Sequence, residues 1–167
     1  MRHPVLVVTL IACCVATLGV GTAWAAQILT DDATPVVAPD RLSTLTLIEH
    51  NDNETMIDLG EPGPSVGDML VWGPNPLFDT NGGATGATTQ GTCVSLNDPD
   101  QCLAQETVIF ADGSTLEIQG VERGDGLPSR RTVVAGSGIF FGTSGSVTVT
   151  PTRDEREWTK TFVFVSP

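Results

Sequence analysis

Val133–Pro151 reads VVAGSGIFFGTSGSVTVTP, two short β-branched runs joined by a segment with a glycine every few residues. Val147, Thr148, Val149 and Thr150 alternate apolar and polar with period two, as a half-buried strand does. Gly136, Gly138, Gly142 and Gly145 supply backbone angles that a Cβ disfavours, so the chain can turn between the runs. The stretch predicts the closing hairpin of a small β-barrel. Barrels of this kind often hold a ligand in the lumen, so the functional question is what the lumen carries.

Strand patterns continue on both sides of the hairpin. Trp158–Val165 puts Trp158, Lys160, Phe162 and Phe164 on one face and Thr159, Thr161, Val163 and Val165 on the other. Arg131–Ala135 and Thr115–Val121 flank a loop at Gly124–Pro128, and Asp112-Gly113 is a two-residue hairpin turn. Ala84–Leu96 and Leu103–Ala111 lie either side of the loop bounded by Cys93 and Cys102. Asp68–Phe78 is apolar but broken by Pro74 and Pro76, which a central strand tolerates only at a bulge or an edge. Glu61–Ser65 is a loop, and Leu42–His50 alternates Leu45, Leu47 and Glu49 against Thr44, Thr46 and Ile48. No helical stripe interrupts the series. About eight strands joined by Gly/Asp/Pro turns argue a sandwich or a barrel. Full closure abolishes sheet edges, and several strands are apolar on both faces, which favours a closed antiparallel eight-stranded β-barrel over residues 42–167.

The first residues read differently. Met1-Arg2-His3 is a short basic start, Val5–Val20 is almost wholly apolar, and Ala23-Trp24-Ala25 has small residues where a signal peptidase reads. Residues 1–25 are expected to be a signal peptide cleaved between Ala25 and Ala26, giving a secreted protein with no stable membrane insertion afterwards. Lipid modification at Cys13 and an uncleaved anchor are the open alternatives. Residues 26–41 hold two prolines, three aspartates and no period, and read as a flexible lead-in.

Removing the leader leaves 142 of the 167 residues, enough for one compact domain. With Arg2 gone, 7 basic side chains face 20 acidic ones, a balance that argues against nucleic acid and anionic membranes as partners. The same acidity also keeps an exported protein soluble. Cys13 and Cys14 lie in the leader, so Cys93 and Cys102 remain as an even pair, expected to form a disulfide. Two thiols and His50 are too few ligands for a closed zinc site. Gly136–Gly145 lacks the lysine and strand-to-helix context of a phosphate loop. Neither metal nor cofactor is expected.

Several stretches fall into one order: Val66–Val71, Pro76–Asp79, Gly86–Val94 (GATTQGTCV), Glu106–Gly120 (ETVIFADGSTLEIQG) and Val133–Val147 (VVAGSGIFFGTSGSV). This order resembles the allene oxide cyclase barrels and the related dirigent proteins, over roughly Leu47–Val165. The resemblance implies an eight-stranded antiparallel barrel with an apolar lumen. It implies either cofactor-free cyclisation or isomerisation, or stereo-direction of a coupling reaction, on an apolar small molecule of lipid, polyketide or phenolic class. Plant members often form trimers, so a homo-oligomer is a further expectation. The alternative is a carrier or structural barrel without chemistry.

The same resemblance assigns candidate site residues. Glu49 and Asn51 match a Glu-x-Asn pair on the family's first strand. Asn75 matches an asparagine that helps hold a water on the substrate oxygen, and Cys93 a cysteine near the reacting carbons. The family's proline has no counterpart near Asp58, and tyrosine is absent. Glu49 and Asn51 leave one face of a strand. If that face is the lumen, the carboxylate can stabilise positive charge or take a proton while Asn51 and Asn75 orient an oxygen. If it is the outer face, they meet water. Asp68 and Asp79 are candidate acids in a dirigent-like proton loss; the alternative is local hydrogen bonding at turns. Arg131 could hold a ligand carboxylate at the barrel mouth or balance neighbouring acids.

Overall fold

A computed structural model describes residues 42–60 and 62–165. The expected signal peptide, its cleavage point, Cys13 and the lead-in over 26–41 lie outside the described residues. Nine strands form in order: β1 (Leu42–His50), β2 (Glu54–Ile57), β3 (Met69–Phe78), β4 (Ala84–Ser95), β5 (Gln101–Ile109), β6 (Thr115–Arg123), β7 (Ser129–Gly136), β8 (Ser144–Pro151) and β9 (Glu157–Val165). Neighbours from β3 to β9 pair antiparallel, and β9 pairs with β1. β1 then meets β3 through Ile48 opposite Phe78 and Glu49 opposite Leu77. That pairing closes an eight-stranded barrel and leaves no free edge between β1 and β3 there.

The sequence reading missed β2. It pairs with Met69–Trp72, farther along the same side of β3 that β1 occupies. β1 and β2 are therefore one strand interrupted at Asn51–Asn53. All four β2 residues are exposed, so no buried face writes a period into the sequence. Pro74 falls where the β3–β4 register shifts, between Trp72 and Asn75, which is the bulge its chemistry requires, while Pro76 lies just past it, opposite Thr88.

The glycine-rich stretch links β7 to β8, with Val133 opposite Gly145 at the base of the hairpin. Gly138–Phe140 forms a single 3-10 turn inside it. Gly138 has φ +60°, and a Cβ there would collide with Ser114, so the position excludes other residues twice over. Ser114 Oγ accepts from the Ile139 amide at 3.1 Å. This anchors Phe140 against Phe110 and Phe164, with ring centroids 4.6 and 5.8 Å apart, and closes that end of the barrel.

Period two sorts the lumen into two halves. Toward Phe140 the inward positions are apolar: Val108, Leu116, Ile118, Val147 and Phe162 are wholly buried. Each such side chain contributes about 1.5–3 kcal/mol by leaving water. Toward the other end the same inward positions carry Glu49, Glu106, Glu122, Arg131 and Lys160. The apolar lumen implied by the resemblance is therefore corrected: only half of it is apolar.

Cys93 and Cys102 are bonded, with Cα atoms 5.4 Å apart, and tie β4 to β5 beside the charged half. The enclosed loop is short, with a sequence separation of 9, so cross-linking contributes at the low end, about 2–3 kcal/mol. Urea unfolding with and without reductant should show that difference. An unchanged midpoint would mean that the sheet alone fixes the loop.

Candidate functional site

The site is assembled from seven inward positions, one on each of seven strands. Lys160 of β9 lies between two carboxylates, its Nζ 2.8 Å from Glu49 Oε2 of β1 and 2.6 Å from Glu106 Oε1 of β5. Arg131 of β7 donates from Nη2 to the other Glu106 oxygen at 2.6 Å. Its Nη1 lies 3.2 Å from Glu122 Oε2 of β6. Thr89 of β4 donates to Glu106 Oε1 at 2.5 Å. Asn75 of β3 donates to Glu49 Oε1 at 2.7 Å. Lys160 and Arg131 are each only 2% exposed, so these charges interact with little solvent screening.

Burial and charge act against each other here. Burial pushes the Glu106 carboxyl up, but the Lys160 ammonium and the Arg131 guanidinium, with hydrogen bonds from Lys160 and Thr89, outweigh it and hold the group at about 2. Burial pushes Lys160 down, yet the flanking Glu106 and Glu49 carboxylates leave it above the usual lysine range. For Glu122 burial dominates. Arg131 and Lys160 pull it down, Glu106 and Glu49 repel its anion, and the net effect is a carboxyl above its ordinary range.

The charged half opens at a mouth. Leu70, Trp72, Trp158 and the Cys93–Cys102 bridge line it, with Asn51 and Glu54 beside them and Glu49, Glu122, Arg131 and Lys160 beneath. Trp72 lies opposite Gly91 in register, and a Cβ on Gly91 would come within 2.5 Å of the indole. Glycine at this position lets the ring lie flat over β4. The space amounts to about 50 Å³. A concavity of about 460 Å³ on the outside of the barrel is larger, but is walled mainly by outward-facing polar side chains such as Gln90, Gln105 and Gln119. Hydration already satisfies such groups, so the smaller space above the buried charges is the chemically distinctive one.

The sequence-derived residues divide clearly. Glu49, Asn51 and Arg131 reach the mouth, and Glu49 faces inward rather than to water. Asn75 is wholly buried and fully engaged: besides Glu49 it donates to Asn51 Oδ1 at 3.3 Å and accepts from the Asn53 amide at 2.9 Å. It bridges the break between β1 and β2 and orients Glu49. Asp68 is remote from the cluster. Its carboxylate accepts from the Leu59 and Ser65 amides at 2.8 and 2.6 Å, which holds it below the usual carboxylate range and ties Leu59 to Ser65. Asp79 accepts from the Asn81 and Gly83 amides, both at 2.8 Å, and forms the β3–β4 turn. Both aspartates occupy the turn role that the sequence left as their alternative. Cys93 is in the wall of the mouth as half of the disulfide.

Sequence reasoning missed Glu106, Glu122 and Lys160. A signal existed for Lys160, a lone lysine in phase with Trp158, Phe162 and Phe164. Glu106 is likewise in phase with Ala104 and Val108. Among the described residues, no group of three or more His, Cys, Asp or Glu side chains could hold a metal ion. No helix among them is long and apolar enough to cross a membrane.

No protein-family model and no curated protein matches the chain. Solved structures do. A pyocyanin demethylase superposes with a TM-score of 0.63 at 21% identity, over 73% of this chain and 99% of the demethylase. The Diels Alderase AbmU from Streptomyces koyangensis gives 0.63 at 20% identity, over 85% of this chain and 73% of that one. The pterocarpan synthase dirigent protein GePTS1 gives 0.59 at 17% identity, over 75% and 86%. The chain thus has the barrel fold of the dirigent and cyclase proteins that its sequence resembles.

Proposed function

We propose that this protein is exported, binds a small molecule at the charged mouth of its barrel, and holds it for cofactor-free cyclisation or isomerisation. The observation that carries this reading is an aromatic-walled opening directly over buried, opposed charges. The ligand's apolar body, of lipid, polyketide or phenolic class, lies against Leu70, Trp72 and Trp158. Its polar end faces Arg131, Lys160 and Glu49. Small-molecule sites usually need roughly 300–1,000 Å³, so the space of about 50 Å³ takes only that polar end. Glu49 is oriented by Asn75 and paired with Lys160, placed to stabilise positive charge that develops in a folding substrate. Asn75 is a positioning residue. The fold shared with a Diels Alderase and a pterocarpan synthase dirigent protein supports this reaction class.

The packed apolar half and the small opening favour one rival, a structural barrel with no ligand. Native mass spectrometry followed by lipid extraction, on protein from its own source, separates the two. A stoichiometric small molecule is expected, and Glu49→Gln then tells catalyst from carrier by whether turnover of that molecule is lost. An empty protein that also ignores hydrophobic probes would leave only the structural barrel.

A further inference from the structure

We propose that the mouth receives an oxyanion of its small-molecule ligand, a carboxylate, enolate or phenolate, between Arg131 and a protonated Glu122. This deepens the small-molecule reading above and rests on it. Neither the strand pattern nor the family resemblance singled out Glu122; its placement in the barrel does.

Unsatisfied atoms carry the argument. Arg131 is almost fully buried, yet only Nη2 has a hydrogen-bond partner; Nε and Nη1 have none. Glu122 Oε2 also has none, although Nη1 lies 3.2 Å away, because the two groups face one another out of hydrogen-bond alignment. Native proteins rarely leave buried donors unmatched, and each costs about 1–3 kcal/mol where they do. Three such atoms together, on residues lining one opening, describe a site that lacks its ligand's oxygen.

The charge count says which oxygen fits. Glu49, Glu106 and Glu122 face Arg131 and Lys160, so three anions meet two cations. Lys160 contacts both Glu49 and Glu106, and Arg131 pairs with Glu106 in a hydrogen bond but reaches Glu122 only at 3.2 Å and out of alignment, which leaves Glu122 the least well-paired carboxylate. One proton on Glu122 makes the cluster neutral and turns that oxygen from acceptor to donor. The opening then presents the Arg131 Nε–H and Nη1–H with the Glu122 O–H, a donor set suited to an anion. Among the described residues, the charged groups facing Glu122 are Glu49 on β1, Glu106 on β5, Arg131 on β7 and Lys160 on β9, with Glu54 of β2 beside the mouth. Burial, the largest influence on Glu122, favours the same protonated form.

A balance of protons follows. Where Glu122 is ionised in the free protein, binding draws one proton from solvent onto its carboxylate, and affinity falls about tenfold per pH unit. No covalent bond is made or broken.

The test is calorimetry with 2-naphthoate and its uncharged analogue 2-naphthylmethanol, at pH 5.5 and pH 8, in two buffers of different ionisation heat. Naphthoate should bind more weakly at pH 8 than at pH 5.5 and take up a proton there, whereas the alcohol should show neither effect. Glu122→Gln keeps a donor in place of the acid, so its naphthoate affinity should no longer depend on pH and the uptake should vanish. Circular dichroism checks that the variant folds; if it does not, proton uptake by the unsubstituted protein decides. Naphthoate binding without proton uptake, or no tighter than the alcohol, overturns the oxyanion site while leaving a small-molecule mouth. Binding of neither overturns both.

Discussion

Lys160→Met should lower the unfolding free energy by about 3–5 kcal/mol, the usual cost of deleting one partner from a buried ion pair. The side chain is 2% exposed and its ammonium is the shared counter-charge of Glu49 and Glu106. Methionine fills nearly the same volume, so the loss would be electrostatic rather than a cavity effect. Removing the cation leaves the Glu49 and Glu106 carboxylates, with the Glu122 carboxyl, facing Arg131 alone. Since a domain holds about 5–15 kcal/mol in total, the variant approaches the edge of folding. Urea denaturation reads the change, and a loss under about 1 kcal/mol would show that water already solvates the cluster. Adding Glu49→Gln to Lys160→Met should recover part of the loss, because it removes one stranded anion and keeps the acceptor for Asn75.

Acid should unfold the barrel through Glu106. Its folded-state carboxyl lies at about 2 against an ordinary 4.5, so the folded protein binds this proton less readily than the unfolded chain. The stability it contributes is complete above pH 4.5 and is lost as pH falls through about 2. By linkage this amounts to roughly 3 kcal/mol. Glu122 acts in the opposite sense: its folded carboxyl is raised, so stability falls as pH rises from about 4.5 through its folded value. The two slopes predict a stability maximum in the mildly acidic range. Urea midpoints from pH 2 to 8 trace both limbs. Glu106→Gln should flatten the acid limb, and Glu122→Gln should remove the fall on the alkaline side. An acid limb as steep in Glu106→Gln as in the unsubstituted protein would assign acid lability to other carboxylates.

The strands were legible because burial on one face leaves a period of two. Val147–Thr150 and Trp158–Val165 write it plainly, and the turns between strands use Gly, Asp and Pro for their backbone angles. β2 was not legible, since a strand with no buried side chain leaves no period. Glu49 could be nominated from sequence, but its facing could not. Ile48 and Glu49 alternate whichever face is inside, and only the closure of β1 onto β3 and β9 decides that the acid turns inward.

By itself, the sequence determined the number and order of the barrel strands, the disulfide pair and the sharing of one strand face by Lys160, Trp158, Phe162 and Phe164. These are local properties, fixed by alternation, turn chemistry and cysteine count. The tertiary structure alone decided that Glu49, Asn75, Thr89, Glu106, Glu122, Arg131 and Lys160 share one end of one lumen. Their nearest neighbours in sequence are nine or more residues apart, and they meet only because strand register and barrel closure set them at matching heights. Ion pairing falls off within a few ångströms, so a charged site exists only after that register is chosen. The same register placed Asp68 and Asp79 in turns, where backbone amides use up their oxygens before any ligand can.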